Sequence, residues 1–249
     1  MKTPAGPSYH SQFREDRLLE LVFPGKRTGA CVEVGAHDGI TGSNTYHFEQ
    51  IGWKCVLVEP VPEMCERMRR FRTGTILNCA ASSAPGEAVF HVAEPFESWS
   101  ALHLTEPQKD RIASAEAAVR EIKVSKRTLD DILAEAGVEE PDFVSIDVEG
   151  HELEVLKGFS LDRFRPMILI IEDNRDAAGV GVREHLENAG YRNFLRTGVN
   201  DWYGRGTDPI TGSGSVGKLK RRLKRYEFED RLPALLKKLL STVLRHVAP

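Results

Sequence analysis

A chain of 249 residues is long enough for one substantial α/β domain and too short for two domains with separate cores. Its 41% hydrophobic and 29% charged residues exclude a collagenous or low-complexity protein, and no apolar run approaches the length of a membrane-spanning helix. The net charge of −3 is uneven: residues 218–249 hold ten Lys/Arg and three Asp/Glu (+7), against 24 basic and 34 acidic elsewhere (−10), and this acidic body argues against nucleic acid as a partner.

The start of the chain, Met1 to Pro7, is small and polar and lacks the basic-then-apolar pattern of an export signal. A helix is expected around Arg14 to Val22. Ala30 to Val34 reads as the first strand and runs into the turn Gly35-Ala36-His37-Asp38-Gly39, followed by a helix from about Ser43 to Ile51. Lys54 to Val58 is the second strand and ends in Glu59-Pro60; Pro62 suits the first turn of the next helix. Thr75 to Cys79 is the third strand and Gly86 to Ala93 an extra edge strand, while Glu94 to Glu121 has no regular period and reads as a lid.

Thr128 to Ala136 has helical spacing and stops at Gly137, and Phe143 to Ile146 is the fourth strand, entering Asp147-Val148-Glu149-Gly150-His151. Met167 to Ile171, apolar without alternation, is a fifth strand buried on both faces. A helix at Val182 to Ala189, a strand at Tyr191 to Arg196 and a last strand near Trp202 and Tyr203 complete the pattern, that of a parallel sheet covered on both faces. This gives a domain over 1–206, a Gly/Ser/Thr/Pro linker over 207–217 and a basic helical tail over 218–249, where Leu235, Leu239 and Val243 share a stripe beside Lys237, Lys238 and Arg245. Three readings of that tail stand: a peripheral membrane helix, a homodimer contact, or a solvated helix folded back.

In such sheets a ligand lies beyond the carboxyl ends of the strands, so the residues ending the first, second, fourth and fifth strands share one cleft. The first turn, Glu33-x-Gly35-x-x-x-Gly39, has an acid where a dinucleotide signature would have its first glycine. A pyrophosphate would be repelled there, whereas a ligand with a cationic end would be favoured. Gly35 and Gly39 would let the backbone approach the ligand, and Glu59, twenty residues past Gly39, could accept hydrogen bonds from both ribose hydroxyls of a nucleoside. The plain alternative is a turn pair of glycines and a surface Glu.

Asp147, Glu172 and Asp173 are expected to converge, either as a Mg²⁺-type site of hard oxygen ligands or as a donor contact, a helix cap and solvated loop acids. His151 is the first candidate base, because an imidazole titrates near neutral pH, and His37 is the reserve. Trp53 reads as core; Trp99 and Trp202 are candidates for stacking on a sugar face, with packing the stronger expectation. The cysteines Cys31, Cys55, Cys65 and Cys79 form no Cys-x-x-Cys pair and read as buried thiols of a reducing, cytoplasmic compartment.

The run Val32-Glu33-Val34-Gly35-Ala36-His37-Asp38-Gly39, then Ser43-Asn44-Thr45, Phe48-Glu49, Gly52-Trp53 and Val58-Glu59-Pro60, resembles the FkbM family of methyltransferases. Asp147-Val148-Glu149-Gly150-His151-Glu152-Leu153-Glu154-Val155-Leu156-Lys157-Gly158 is similar to that family's second signature. The resemblance implies a Rossmann-like class I methyltransferase, with a doubly wound, mostly parallel seven-stranded sheet and an antiparallel last strand. It also implies S-adenosylmethionine as methyl donor, and often O-methylation of sugars, glycolipids or natural products. By position, Glu33, Gly35, Asp38, Gly39, Asn44 and Glu59 would hold the donor, with Ala36, His37 and Pro60 in the same runs, Asp147 above the methyl, and Asn78 and Ser100 on the adenine side. Many relatives have Asp where this chain has Glu33. The tail falls outside the shared motifs. Two other readings stand beside this one: a nicotinamide-dependent oxidoreductase, and a non-catalytic adaptor that docks through the tail.

Overall fold

A computed structural model describes residues 8–174 and 177–205, together with Arg221. The expected linker and tail lie outside the described residues, Arg221 excepted. The unbroken apolar runs form strands where the sequence puts them: β1 Ala30–Val34, β2 Lys54–Val58, β7 Phe143–Ile146 and β8 Ile168–Glu172. Helices lie between them: α1 Glu15–Val22, α2 Tyr46–Gln50, α3 Pro62–Met68, α4 Glu106–Ser114, α5 Leu129–Ala136, α6 Glu152–Lys157, α7 Leu161–Phe164 and α8 Ala177–Asn188. The remaining strands are β3 Thr75–Leu77, β4 Ala80–Ala81, β5 Gly86–Glu94, β6 Ala118–Arg127, β9 Tyr191–Thr197 and β10 Asn200–Arg205.

Seven strands form one sheet in the order β3-β2-β1-β7-β8-β10-β9. β10 runs antiparallel to both β8 and β9, and the other neighbouring pairs are parallel. This is the expected doubly wound sheet with its antiparallel last strand. The chain works outward from β1 through β2 to β3 and returns on the other side of β1 at β7, so the crevice between the carboxyl ends of β1 and β7 is the topological switch point.

Both faces of the sheet are covered. On one, Leu129, Ile132 and Leu133 of α5, Val155 and Leu156 of α6 and Leu186 of α8 pack on Val32, Val144 and Leu169. On the other, Leu18, Leu19 and Val22 of α1 join Phe48, Trp53, Phe143 and Trp202. At roughly 1.5–3 kcal/mol for each fully buried large apolar side chain, these two layers dominate the favourable side of folding.

Three elements depart from expectation. The third strand stops at Leu77, where the Cys79 amide turns back to the Leu77 carbonyl at 3.1 Å, and Ala80–Ala81 leaves for a second sheet of order β4-β6-β5. The expected edge strand therefore pairs along its whole length with β6. The expected irregular lid holds a 3-10 turn at Glu97–Trp99, helix α4 and most of β6. Its signals were present: Thr105-Glu106-Pro107-Gln108 is a capping box, with Thr105 and Gln108 bonding each other's amides, and Ile122 and Val124 alternate onto the buried face of β6. Helix α2 starts at Tyr46, because residues 43–45 are drawn into a turn around Glu33.

Gly158, at the end of α6, marks a close approach of that helix to the second sheet: a Cβ there would stand 2.1 Å from the Ser82 carbonyl oxygen just past β4. Gly158→Ala is expected to lower stability by about 1–3 kcal/mol. Urea unfolding will show a reduced midpoint at unchanged slope, and an unchanged midpoint would contradict this packing.

Candidate active site

Gly35 follows β1 with φ 83°, and its amide and that of Ala36 both donate to the Val58 carbonyl, at 3.0 and 3.1 Å. A Cβ on Gly35 would lie 1.8 Å from the Asp147 carbonyl oxygen. The space left by its absent side chain is thus filled by the end of β7, where the sequence suggested a ligand. Gly39, at φ 75°, likewise makes room for Met68, whose Cγ would be 2.6 Å from a Cβ.

Glu33, the acid closing β1, is buried and faces its own loop. It accepts hydrogen bonds from the Ser43 and Thr45 hydroxyls at 2.7 and 2.6 Å and from the Asn44 amide at 2.6 Å. The buried Arg72 guanidinium stands 4.0 Å away and also holds Glu49 at 3.0 Å, the Thr45 hydroxyl at 3.0 Å and the Gly39 carbonyl at 2.5 Å. A charge buried this deeply persists only when hydrogen-bonded and paired, and both conditions are met. Asp38 is also an organiser of the loop. Burial alone would raise its pKa, but the Ile40 and Thr41 amides and the Thr41 hydroxyl prevail and hold it below the usual range.

Two cavities open beyond the strand ends. The narrower, about 560 Å³, is lined by Val58, Glu59, Cys79, Phe90, Ser100 and His151 among others. The wider, about 1650 Å³ and open to solvent, takes in Glu33, Asn44, Trp99, Asp147, Glu172 and Asn200. They share Val34, Gly35, His37, Ser98, Asp147 and Glu149, so they form one cleft with a junction over the switch point.

In the narrow cavity Glu59 is 5% exposed and accepts the His37 and Val61 amides at 2.8 and 2.9 Å. Burial drives its pKa up from 4.5 to about 7, against the pull of those two amides. Pro60 lines this cavity too. Asn78 steadies the strand end from outside, its amide donating to the Glu59 and Pro60 carbonyls at 2.9 Å each. Ser100 accepts the Ala93 amide at 3.0 Å, fixing the 3-10 turn against β5.

At the junction, Asp147 is exposed to the cleft. Desolvation by its surroundings, then the carboxylates of Glu172, Glu149 and Glu152, push its pKa well up. Glu172 is raised as well, by burial and then by Glu149. Its Oε2 and the Oδ1 of Asn44 are buried acceptors with no hydrogen-bond partner among the described residues, while Asn44 Nδ2 donates to Ser145 at 2.9 Å. Asp173 does not join this group. As the next residue along an extended chain it points to the opposite face, lining a separate hollow with Arg183, Arg196 and Asp201. The three-carboxylate set of the metal reading is therefore split, and among the described residues no cluster of three or more His, Cys, Asp or Glu is placed to hold an ion.

His151 caps the start of α6 with its Nε2 3.1 Å from the Ser82 hydroxyl, and it lines only the narrow cavity. Burial and the neighbouring His103 lower its pKa, leaving it neutral at pH 7. His37, its backbone at φ 49°, stands at the junction. Neither tryptophan is free to stack. Trp202 is wholly buried, and Trp99 has Phe96 against one face at 4.4 Å and the Arg111 guanidinium over the other at 4.6 Å.

Sequence reasoning missed several organisers. Besides Arg72, Glu152 accepts the Val148 and Gly150 amides, both at 3.1 Å, shaping the loop that presents Asp147. Glu149, at φ 54°, binds Arg111 at 3.1 Å and takes the Gln108 amide on its carbonyl at 2.9 Å, fastening α4 over the cleft. Only the positions of Glu149 and Glu152 inside the second signature hinted at this.

A family model described as the methyltransferase FkbM domain matches residues 33–193. No curated protein matches the chain in sequence. Among solved structures the chain is similar to Aeropyrum pernix fibrillarin with natively bound S-adenosyl-L-methionine, at 13% identity over 79% of this chain and 76% of that one, TM-score 0.44. It is also similar to a precorrin-6y C5,15-methyltransferase from Geobacter metallireducens (13% identity, 80% and 90% coverage, TM-score 0.42) and to a ribosomal protein L11 methylase from Lactobacillus delbrueckii (10%, 77% and 77%, 0.41).

The buried carboxyl of Glu59 makes stability depend on pH. The folded state holds this proton more tightly than the unfolded chain, so the group is harmless below about pH 4.5 and increasingly destabilising as pH rises through about 7. Glu59→Gln removes that ionisation. The variant should gain on the wild type by on the order of 3 kcal/mol between pH 4 and pH 8. Denaturant unfolding at both pH values measures the gain, and equal differences at the two would refute the assignment.

Proposed function

The chain belongs to the FkbM family of S-adenosylmethionine-dependent methyltransferases, and from that premise we propose that it methylates a hydroxyl of a sugar, glycoconjugate or related natural product. One observation carries this reading: a narrow cavity with a buried carboxylate, Glu59, and a wide one rich in hydrogen-bond acceptors meet at Gly35, His37 and Asp147.

The residues fit the donor. Glu59 keeps lone pairs beyond those used by its two amides and suits the ribose hydroxyls. The Asn44 Oδ1, which has no partner among the described residues and sits on the residue whose own backbone amide binds Glu33, suits an ammonium. When bound, S-adenosylmethionine supplies an electrophilic methyl on a sulfonium. Phe90, Leu102, Ala80 and Pro60 wall the narrow cavity and exclude water from it.

On the other side, Asp147 and Glu172 accept hydrogen bonds from the acceptor and orient its oxygen, and His37 or Asp147 takes the proton that the oxygen releases. His151 is assigned to the donor side, since it lines that cavity alone. Alignment supplies about 7–11 kcal/mol and a positioned base about 10²- to 10⁴-fold, so holding the two reactants is the larger contribution. A nicotinamide cofactor is disfavoured, because the Gly35 and Ala36 amides that would cradle its phosphates are engaged by Val58. Among the described residues no helix is long and apolar enough to cross a membrane, and all four cysteines are buried and unpaired. The buried free thiols suit a reducing compartment, and the cytoplasm is the one proposed.

Titration calorimetry with S-adenosylmethionine should give saturable heat that weakens as pH falls below about 7, where Glu59 takes up its proton. Glu59→Ala should cost about tenfold or more in affinity. No heat at millimolar donor would remove the basis of this reading. In methyl transfer, His37→Asn or Asp147→Asn should lose about 10²- to 10⁴-fold in kcat, with His151→Asn within about tenfold of wild type. The reverse pattern returns the base to His151.

A further inference from the structure

We propose that the segment of residues 8–16, together with the turn between β9 and β10, is the acceptor-binding wall of the wide cavity, and that Gln12, His10 and Asn200 select a neutral, hydroxyl-rich acceptor. This rests on the division into donor and acceptor sides argued above.

The wall is built with unusual firmness for a stretch without regular structure. Two adjacent carboxylates, Glu15 and Asp16, are both 0% exposed and face opposite ways along it. Asp16 gathers the incoming chain, accepting the His10 and Ser11 amides at 2.5 and 3.2 Å and the Ser11 hydroxyl at 2.6 Å. Glu15 ties it to the far side of the sheet, accepting the Phe13 amide at 2.8 Å, the Thr197 hydroxyl at 2.8 Å and the Asn200 side-chain amide at 2.9 Å. The Phe13 ring lies where a Cβ on Gly198 would be, 2.4 Å away, so the segment and the turn are moulded on each other. The Gly42 amide donates to the His10 carbonyl at 3.0 Å, fastening the same segment to the loop that carries Asn44.

Three consequences follow. First, His10, Gln12, Val199 and Asn200 line the wide cavity and are absent from the narrow one. Second, these four lie outside residues 33–193, whereas Gly35, Glu59 and Asp147 lie within. The matched span thus holds the narrow cavity and part of the wide one, Asn44, Asp147 and Glu172 among it, and the flanks add these four residues to the wide cavity alone. Third, the chemistry suits hydroxyls. Gln12 is exposed on the rim with no described residue bonded to its amide, and the Asn200 amide is held in one orientation by Glu15. Amides donate and accept, as a hydroxyl does, and across from them stand the carboxyls of Asp147 and Glu172. Arg111, the one Arg or Lys among the described residues lining this cavity, is already paired with Glu149 at 3.1 Å, so a phosphate or carboxylate on the acceptor would find no free guanidinium or ammonium there.

The test is steady-state methyl transfer from S-adenosylmethionine to methyl glycosides of neutral hexoses, to the hexose 6-phosphates and to the hexuronic acids, read as S-adenosylhomocysteine released. Donor affinity is measured separately by calorimetry. For Gln12→Ala, an exposed substitution that leaves folding untouched, the neutral glycosides should show KM raised about three- to tenfold. Its kcat and donor Kd should stay within about twofold. Unchanged KM, or a donor Kd that moves in parallel, overturns the assignment of the wall. Phosphorylated or acidic sugars turned over as well as neutral ones overturn the selection rule. If the donor binds and no glycoside is methylated, the acceptor class proposed above fails, and this inference falls with it.

Discussion

The cleft depends on one buried anion. Glu33 ends β1 with both carboxylate oxygens committed to Ser43, Asn44 and Thr45, and Arg72 stands behind them. A carboxylate of this kind tolerates burial only because charge-assisted hydrogen bonds and a cation replace its water. In return it dictates the course of residues 35–45. Gly35 can then press against β7, His37 is lifted to the junction, and Asn44 is set with one acceptor left over. A shorter acid would have to draw that turn inward to keep the same bonds.

The tips of β7 and β8 work by the opposite principle. Among the described residues Asp147 and Glu172 have no cation of their own; desolvation first, and then neighbouring carboxylates, Glu149 foremost for Glu172 and Glu172 itself for Asp147, raise their pKa values. Burial and crowding of this sort keep protons on these carboxyls to higher pH than usual, which suits a site where a hydroxyl must be bound in one state and deprotonated in another. Arg111 tempers the crowding from the rim by holding Glu149.

Much of this was legible in the sequence. The central strands were plain because strands buried on both faces read as continuous apolar runs, and the order of acids at their ends followed from the topology. The second sheet was less plain: β6 starts on the exposed Val119 and alternates clearly only from Ile122, and β4 is two alanines long. What a side chain faces was the hardest to foresee. Glu33 and Asp38 were expected to meet a ligand; the carboxylates of both also hold their own loop, a role that spacing does not reveal, and Glu33 lines the wide cavity besides. The separation of Glu172 from Asp173 was available in principle, because neighbours on an extended chain point to opposite faces.

The sandwich of Phe96, Trp99 and Arg111 at the cleft mouth has an optical consequence. Trp53 and Trp202 sit in the apolar layer beneath the sheet, where their surroundings are fixed by the fold. Trp99 alone borders the cavity, with a guanidinium over its ring. The indole emission of this protein therefore divides into a constant background from within and one component whose colour and intensity follow the mouth of the cleft, a reporter the chain already contains.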